Sequence, residues 1–510
     1  MRMFSRKKLF VIWVFYFISS AALAKKQGQD NLLVAIPNPI LNTEPQKVAI
    51  AQERFILSLI YEGLFKLNED GAIAPELAES WTFDRSHKEL SVVIRPKHKF
   101  SDGSNVTTAD IVRSFQILCS KESRIRDLLD DLAGCIEGNS NAVGIRESTD
   151  RTSVIFQLKF DPSSFLYRIA SLNVSVFKIA SNGSTIGSGP YRVDSKLANE
   201  ATVVPNEFMK RTPKEAKHDK ITFRYYDEKN IAQTLDAGTV DVAAMYLSST
   251  GAKIHSAAYN KHFHSASVTQ TLVVNPKFAA FKDKNRRQEL HRQISDIQKI
   301  EQCSPGTTSA IGFIPPGIGG SLNKKPNISS TQKALSFPKL SAADSIVTIY
   351  EHIGRASTCD QERITKAMAS VGLQANFQYE KSYAEMSPRE GHPKTAAYIE
   401  LFLFPSRDAG AVFRRFLPGD GNLFFFYTKP LYVDLLHRAM GLPNLSDRFE
   451  IYRELDRDIF EESIMIPMYH VGHVNFVKSC IQIPNSLSGV LISPNSFSYL
   501  EKISRGDACK

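Results

Sequence analysis

The chain has 510 residues, which is too long for one ordinary hydrophobic core, so we expect two or three lobes. Hydrophobic residues make up 43% and charged residues 23%, a composition typical of a globular protein that excludes a largely disordered one. The formal net charge is +10, but four of these charges come from the first eight residues. The rest is only mildly basic and shows no nucleic-acid-binding signature, so we expect no nucleic-acid partner.

Residues 1–24 have the three parts of a secretory signal peptide. The basic start MRMFSRKK precedes an apolar stretch of 14 residues, and Ala22–Ala24 supplies an A-x-A cleavage site. Fourteen residues are fewer than the ~20 that a membrane-spanning helix needs. No cysteine follows the cleavage site, so a lipid anchor is not expected there. We expect a secreted, periplasmic protein without stable membrane insertion; an uncleaved anchor is the alternative.

The first elements of the mature chain alternate between strand and helix patterns. Asn31–Pro39 contains a short apolar run that predicts a buried strand, and Val48–Leu67 has a helix-length apolar pattern. Glu89–Ile94 alternates as a half-buried strand does. The sequence thus predicts a mixed α/β protein from its start.

The stretch Ser101–Phe115, SDGSNVTTADIVRSF, has the polar residues of an active-site loop but also those of a helix start. Asp102 and Gly103 favour a turn, while Thr107 can cap a helix and Asp110 can return a hydrogen bond to the cap. Because every polar residue has a structural role, we interpret the stretch as a strand–turn–helix joint and not as an active-site loop.

The second half predicts a strand at Gln270–Asn275, a basic helix at Lys282–Arg292 and a strand–helix–strand unit within Ile346–Tyr379. A long helix is expected to be capped by Ser446, with Pro467 ending it before a strand. Its apolar stripe is formed by Phe449, Tyr452, Leu455 and Ile459.

Six cysteines in a secreted protein favour disulfides, although buried free thiols are the alternative for any one pair. They form no C-x-x-C pair and no metal-binding spacing, and six cysteines allow fifteen pairings. Loop lengths and local neighbourhood favour Cys119–Cys135, Cys303–Cys359 and Cys480–Cys509.

Searches for catalytic, nucleotide-binding and metal-binding motifs give no convincing match. The two close histidine pairs, His262 with His264 and His470 with His473, lack a third ligand at suitable spacing. We therefore expect no catalytic residues, no metal and no cofactor, and we do not expect an enzyme.

Taken in order, several segments resemble the extracellular solute-binding proteins of the oligopeptide, dipeptide and nickel class (family 5), which serve ABC importers. The two most specific matches are YEGLFKLNEDGAIAPELAESW and IRPKHKFSDGSNVTTADIVRSF. The matching segments span residues 61–81, 94–115, 187–193 and 235–242, with weaker matches at 275–294, 314–320 and 448–470.

The resemblance implies a two-lobed α/β fold of the periplasmic binding protein type (type II-like), with an extra subdomain and a hinge. The ligand would lie between the lobes. The implied divisions are a signal peptide (1–24), lobe I in three parts (25–54, 176–270 and 471–510), its extra subdomain (55–175) and lobe II (271–470).

The resemblance also points to site residues within 399–416, IELFLFPSRDAGAVFRRF. Peptide binders of the family often have a Trp-x-x-Asp-Tyr-like segment there, whose aspartate holds the amino terminus of the ligand. Phe404 replaces the tryptophan, and either Arg407 or Asp408 takes the acidic position. If Arg407 takes the acidic position, an anionic ligand group is favoured, whereas Asp408 in that position would retain peptide binding. The alternative is that both are solvated loop residues.

Two neighbouring features bear on the same site. Phe424–Tyr427, FFFY, either lines the cleft through Tyr427 or packs as the core of a strand. Lys429 precedes a proline where the family usually has asparagine, which suggests an altered second lobe.

The leading hypothesis is a monomeric periplasmic protein that binds a peptide or other small solute and delivers it to an ABC transporter permease. A ligand-sensing receptor on the same fold is the alternative, and a hydrolase ranks below both because the sequence contains no clear nucleophile–base pair.

Overall fold

A computed structural model describes most of the chain after the leader. The described residues are 30–48, 51–67, 73–84, 86, 88–129, 131–135, 143–159, 163–209, 218–227, 229–247, 251, 253–295, 307–326, 337–352, 356–380, 392–404, 408–413, 429–440, 442, 444–483, 500, 503–506 and 509. Residues 1–24, the expected signal peptide, lie outside them. None of the helices within these ranges is long and apolar enough to cross a membrane.

The described residues form 21 strands. In chain order these are β1 Asn31–Ile36, β2 Phe65–Leu67, β3 Ile73–Pro75, β4 Ala78–Phe83, β5 Glu89–Ile94, β6 Ile145–Glu147, β7 Ser153–Gln157, β8 Phe177–Ile179, β9 Thr185–Gly187, β10 Tyr191–Leu197, β11 Glu200–Pro205, β12 Lys220–Tyr225, β13 Val242–Leu247, β14 Tyr259–Val274, β15 Thr308–Ser309, β16 Ile346–His352, β17 Gln374–Glu380, β18 Ala397–Leu403, β19 Met465–Lys478, β20 Ile481–Gln482 and β21 Ser504–Arg505.

The α-helices of the same ranges lie between these strands. They are α1 Ala51–Ile60, α2 Thr108–Leu118, α3 Ser163–Ile169, α4 Ile231–Asp236, α5 Ala279–Lys282, α6 Lys284–Ile294, α7 Ala342–Ser345, α8 Thr358–Ser370, α9 Gly410–Phe413, α10 Pro430–Met440 and α11 Leu445–Glu462.

One mixed sheet joins the two lobes of the molecule. Its strands follow the order β10-β11-β12-β1-β13-β19-β14-β18-β16-β17, and β15 pairs with β19. We call β10–β13 and β1 the lobe I side of the sheet, and β16–β18 the lobe II side. Strands β4–β7 form a separate antiparallel sheet. The architecture is the two-lobed α/β fold that the resemblance implies.

The long strands β14 and β19 connect the two sides. They pair antiparallel from Tyr259–Lys478 to Val273–Met465, with a register shift between His264 and Val268. β19 also pairs with β13 on the lobe I side, and Val268–Val274 of β14 pairs with β18 on the lobe II side. Both strands therefore pass from one lobe to the other, where a hinge between lobes is expected.

The joint at Ser101–Phe115 has the predicted structure. Thr107 is the N-cap of α2, its side chain accepts from the Asp110 amide, and the Asp110 carboxylate accepts from the Thr107 amide at 2.9 Å. Gly103 has φ of 84°, which favours glycine at the turn. The strand–turn–helix interpretation is confirmed.

The predicted boundaries of the last helix and strand were wrong by a few residues. Asn444, not Ser446, caps α11; its side chain accepts from the Ser446 amide at 3.0 Å. Both residue types cap helices well, so local composition did not distinguish them. Pro467 lies inside β19 instead of preceding it, next to a register shift at Gln270/Thr271 that accommodates a residue without an N–H.

Two of the three expected disulfides are described and confirmed. Cys119 is bonded to Cys135 and Cys480 to Cys509. Cys359 is also disulfide-bonded, whereas Cys303 lies outside the described residues. The third predicted pairing therefore remains a prediction.

Candidate functional site

Asp408 lies just after β18, on a short segment that leads into α9. Its Oδ1 accepts a hydrogen bond from the Gly410 amide at 2.8 Å, and its backbone forms a β-bridge with Gly319. The side chain retains only 9% exposure. These contacts hold the carboxylate in one position on lobe II.

Arg448, in the first turn of α11, lies directly beside this carboxylate. Its Nη2 is 3.2 Å from Asp408 Oδ2, and its side chain has no exposed surface. This contact lacks hydrogen-bond geometry, and the Nε, Nη1 and Nη2 atoms find no hydrogen-bond acceptor in the described part of the chain. The two residues, which we call the Asp408–Arg448 pair, thus form a buried ion pair with no net charge.

Tyr167, on the other lobe, is influenced electrostatically by the Asp408–Arg448 pair. It lies on α3, whose Phe165, Leu166 and Ile169 pack into the core that contains β1 and α2. The pKa of Tyr167 is raised, mainly by burial, and it responds to both partners: Arg448 lowers it and Asp408 raises it. The charges of the pair thus act on a tyrosine that belongs to a different hydrophobic core.

The residues behind Asp408 are aromatic and belong to a separate core. Phe404 is fully buried and packs edge-to-face on Phe313, with ring centroids 5.4 Å apart. Phe413 packs against both Phe313 and Tyr452. This aromatic cluster fixes the backbone on which Asp408 lies.

The structure describes two of the four predicted ligand-binding residues. Asp408 is buried beside Arg448, and Phe404 lies in a hydrophobic core with no exposed surface. Arg407 and Tyr427 lie outside the described residues. A ligand-binding role for each of the four stays a prediction.

Lys429, the departure from the family asparagine, forms contacts within lobe II. Its Nζ lies 2.8 Å from Asp458 and 3.1 Å from Glu462, both on α11. The same Nζ lies 5.5 Å from the ring centroid of Tyr432. This lysine thus ties the start of α10 to α11.

Arg448 and Tyr167 were missed by the sequence analysis. Arg448 is three residues before Ile451 and four before Tyr452, so it occupies the buried stripe of α11. A charged residue in an apolar stripe is a signal of a buried ion pair that could have been noticed. Nothing local distinguishes Tyr167, because its partners come from the other lobe.

His470 and His473 on β19 are buried, and they form no metal site within the described ranges. His470 is fully buried, and its Nδ1 lies 2.9 Å from Thr269 Oγ1. Burial lowers the pKa of His470 and of His473 to about 4. Among the described residues no cluster of three or more His, Cys, Asp or Glu is suited to a metal ion.

Comparison with known proteins agrees with this architecture. The profile of "Bacterial extracellular solute-binding proteins, family 5 Middle" matches residues 72–397, which is more than half of the chain. The chain therefore belongs to family 5 of the bacterial extracellular solute-binding proteins.

Individual relatives are distant in sequence but similar over their whole length. The glutathione-binding protein GsiB of Escherichia coli O6:K15:H31 is 22% identical over 484 residues, covering 88% of this chain and 90% of the relative. The Escherichia coli murein tripeptide binding protein MppA has a TM-score of 0.73 at 17% identity, covering 94% of this chain and 99% of that structure. Haemophilus influenzae OppA in complex with RPPGFSPFR has a TM-score of 0.72 at 15% identity, covering 94% and 99%.

Proposed function

We propose that this protein binds a peptide-like solute in the cleft between its lobes and delivers it to an ABC transporter permease. The proposal places the mature chain in the periplasm, after cleavage of residues 1–24 and without a lipid anchor. We further propose that the protein functions as a monomer and catalyses no reaction.

The observation that carries this proposal is a sheet that runs through two lobes with separate hydrophobic cores. Strands β14 and β19 pass from one lobe to the other, while α3 packs into one core and the segment after β18 packs into another. A site built from both lobes gains ligand contacts only when the lobes approach each other. Ligand binding is then coupled to closure, and closure gives a permease a signal that the protein is loaded.

The relatives support peptides as the ligand class. Their names refer to glutathione, a murein tripeptide and the nonapeptide RPPGFSPFR, all of which present amide groups and charged ends. In this chain the Asp408 carboxylate, which keeps 9% exposure, would offer an acceptor to such an end. The amide groups of an extended ligand would be held by hydrogen bonds to main chain.

Native mass spectrometry of the mature protein, purified from the periplasm, tests the proposal. We expect adducts with peptide masses that disappear when the protein is denatured. The protein stripped of ligand should regain such adducts from an equimolar pool of di- to pentapeptides. If the protein is purified without any adduct and binds no member of that pool, the proposal is wrong.

A further inference from the structure

The hairpin of β8 and β9 ends in a turn that contains the only Asn-Gly pair of the chain. Asn182, Gly183 and Ser184 are all exposed. Gly183 has φ of 81°, and among the described residues no atom beyond its two chain neighbours lies within 4 Å of where its Cβ would be. The turn thus presents a side-chain amide next to the backbone nitrogen of a residue that has no side chain.

The oxygen of this amide is held by two hydrogen-bond donors from one residue. Asn182 Oδ1 accepts from the Ser184 amide at 3.0 Å and from the Ser184 hydroxyl at 2.7 Å. Donors at these distances polarise a carbonyl group and stabilise the negative charge that develops on its oxygen when the carbon is attacked. The two donors therefore form a small oxyanion hole around the Asn182 side chain.

We propose that Asn182 is a site of spontaneous covalent modification, at which the Gly183 nitrogen attacks Asn182 Cγ. A bond forms between these two atoms, and the two donors of Ser184 hold the negative charge on Oδ1. The Gly183 nitrogen gives its proton to solvent, the Cγ–Nδ2 bond breaks, and Nδ2 takes up a proton and leaves as ammonia. Water then opens the cyclic imide at one of its two carbonyl carbons and leaves aspartate or isoaspartate. This inference does not depend on the proposed function.

Asn444 has the same oxygen contacts but a different neighbour. Its Oδ1 accepts from the Ser446 amide at 3.0 Å and from the Ser446 hydroxyl at 2.7 Å. The nitrogen that could attack belongs to Leu445, the first residue of α11. A side chain and a helical backbone both restrict the approach of this nitrogen to Cγ. We therefore expect Asn444 to stay unmodified.

Asp102 has the same donors and a glycine neighbour but a charged side chain. Its Oδ1 accepts from the Ser104 amide at 3.0 Å and from the Ser104 hydroxyl at 2.6 Å, while Oδ2 lies 2.9 Å from Lys178 Nζ. An aspartate is ionised at neutral pH, and its negative charge makes the carboxylate carbon a poor target for a nucleophile. Of these three turns, only that of Asn182 combines a neutral amide, two donors and glycine.

The modification would change how the hairpin closes. The Gly183 amide donates to the Ala180 carbonyl at 2.9 Å, and the Ala180 amide donates to the Ser184 carbonyl at 2.8 Å. The first bond must open before the nitrogen attacks, so we expect the folded protein to react more slowly than an unfolded chain. Isoaspartate inserts a methylene into the main chain of the turn, so both bonds lose their register. The product loosens a hairpin whose Thr185 contacts the Tyr61 hydroxyl.

Peptide mapping by mass spectrometry tests the proposal on the purified mature protein. The folded protein and the same protein in urea are incubated in heavy-oxygen water at mildly alkaline pH, so that each conversion adds a labelled oxygen. We expect labelled aspartyl and isoaspartyl peptides at Asn182 in both samples, and none at Asn444 or Asp102 in the folded one. If the unfolded chain is labelled at Asn182 and the folded protein is not, the proposal is wrong.

Two variants separate the contribution of the fold from that of the sequence. Ser184→Ala removes one donor that is exposed to water, so conversion of the folded protein should slow by about threefold or more, less than the loss of a buried donor in an enzyme. In urea, where the turn is absent, Ser184→Ala and the wild type should convert at the same rate. Gly183→Ala should abolish conversion in the folded protein. Equal rates for folded Ser184→Ala and folded wild type would overturn the role of the two donors.

Discussion

At the scale of single residues, Tyr167 is the group through which lobe I is expected to contact a ligand near Asp408. It is half-buried, and both members of the Asp408–Arg448 pair influence its pKa. Tyr167→Ala should weaken peptide binding by roughly fivefold to tenfold, because a hydrogen bond and ring contacts are lost. Isothermal titration calorimetry measures this change. Tyr379→Ala, which alters an exposed tyrosine on the edge strand β17, is the matched control and should bind as the wild type does.

The capping pair of α2 allows a prediction of a change that lowers stability without changing peptide affinity. Thr107→Ala removes the side chain that accepts from the Asp110 amide, so the free energy of unfolding should fall by about 1 kcal/mol. Because we assign this joint to the scaffold, peptide affinity should stay unchanged. Urea unfolding and calorimetry on the same sample measure both quantities. Loss of affinity in a folded Thr107→Ala protein would place the joint in the site after all.

How far single residues could be predicted depends on how local their partners are. The Thr107–Asp110 cap was predictable because both partners lie within one helical turn. The contact between Asp408 and Arg448 joins residues from two elements, and their influence on the pKa of Tyr167 reaches the other lobe. Such contacts depend on tertiary packing, so the sequence supplied Asp408 through a resemblance and did not supply Arg448 or Tyr167.

At the scale of elements, the two strands that pass between the lobes, β14 and β19, differ most from the sequence prediction. Only Gln270–Asn275 was predicted as strand, whereas β14 runs over Tyr259–Val274. Its first part, YNKHFHSAS, lacks an apolar pattern, and its pairing with β19 outweighs that weak local preference. A strand that crosses from one lobe to the other is therefore hard to see from periodicity alone.

The buried histidine of the hinge strand β19 predicts a dependence of stability on pH. The pKa of His470 is about 4 in the folded protein, below the ordinary value of 6.5, so the unfolded chain binds a proton first. Stability is then complete above pH 6.5 and is lost as the pH falls toward 4. At pH 5 the loss should be about 2 kcal/mol for this one histidine.

His470→Asn is the variant that isolates this effect. Asparagine can retain the contact with Thr269 but does not titrate. Urea unfolding of both proteins at pH 7 and pH 5 should show a smaller acid loss in the variant. An equal loss in the two proteins would show that His470 is not responsible.

The C-terminal disulfide closes a segment that returns to β1. Arg505 on β21 donates to the Asn31 carbonyl and to Asp241 Oδ2, both at 2.6 Å, and Cys480–Cys509 spans 29 residues. Replacing both cysteines by serine should lower the free energy of unfolding by roughly 3–4 kcal/mol, since the open loop gains entropy when unfolded. Urea unfolding without reductant measures this. An unchanged unfolding free energy would mean that the contacts of Arg505 suffice.

At the scale of the whole molecule, the resemblance of a few turn and helix segments to family 5 was enough to predict two lobes. Those segments, such as 61–81 and 94–115, are scaffold joints whose local chemistry is strict. The continuity of the sheet through β14 and β19 was not predictable, because it depends on pairing between strands far apart in sequence. The fold was thus more accessible from the sequence than the ligand site.

Small-angle X-ray scattering tests whether a peptide is captured between the two lobes. The stripped protein is measured alone and with a saturating peptide chosen by native mass spectrometry. We expect a smaller radius of gyration with peptide, because lobes that share a ligand approach each other about the hinge. A radius of gyration that stays unchanged at full occupancy would contradict capture between the lobes.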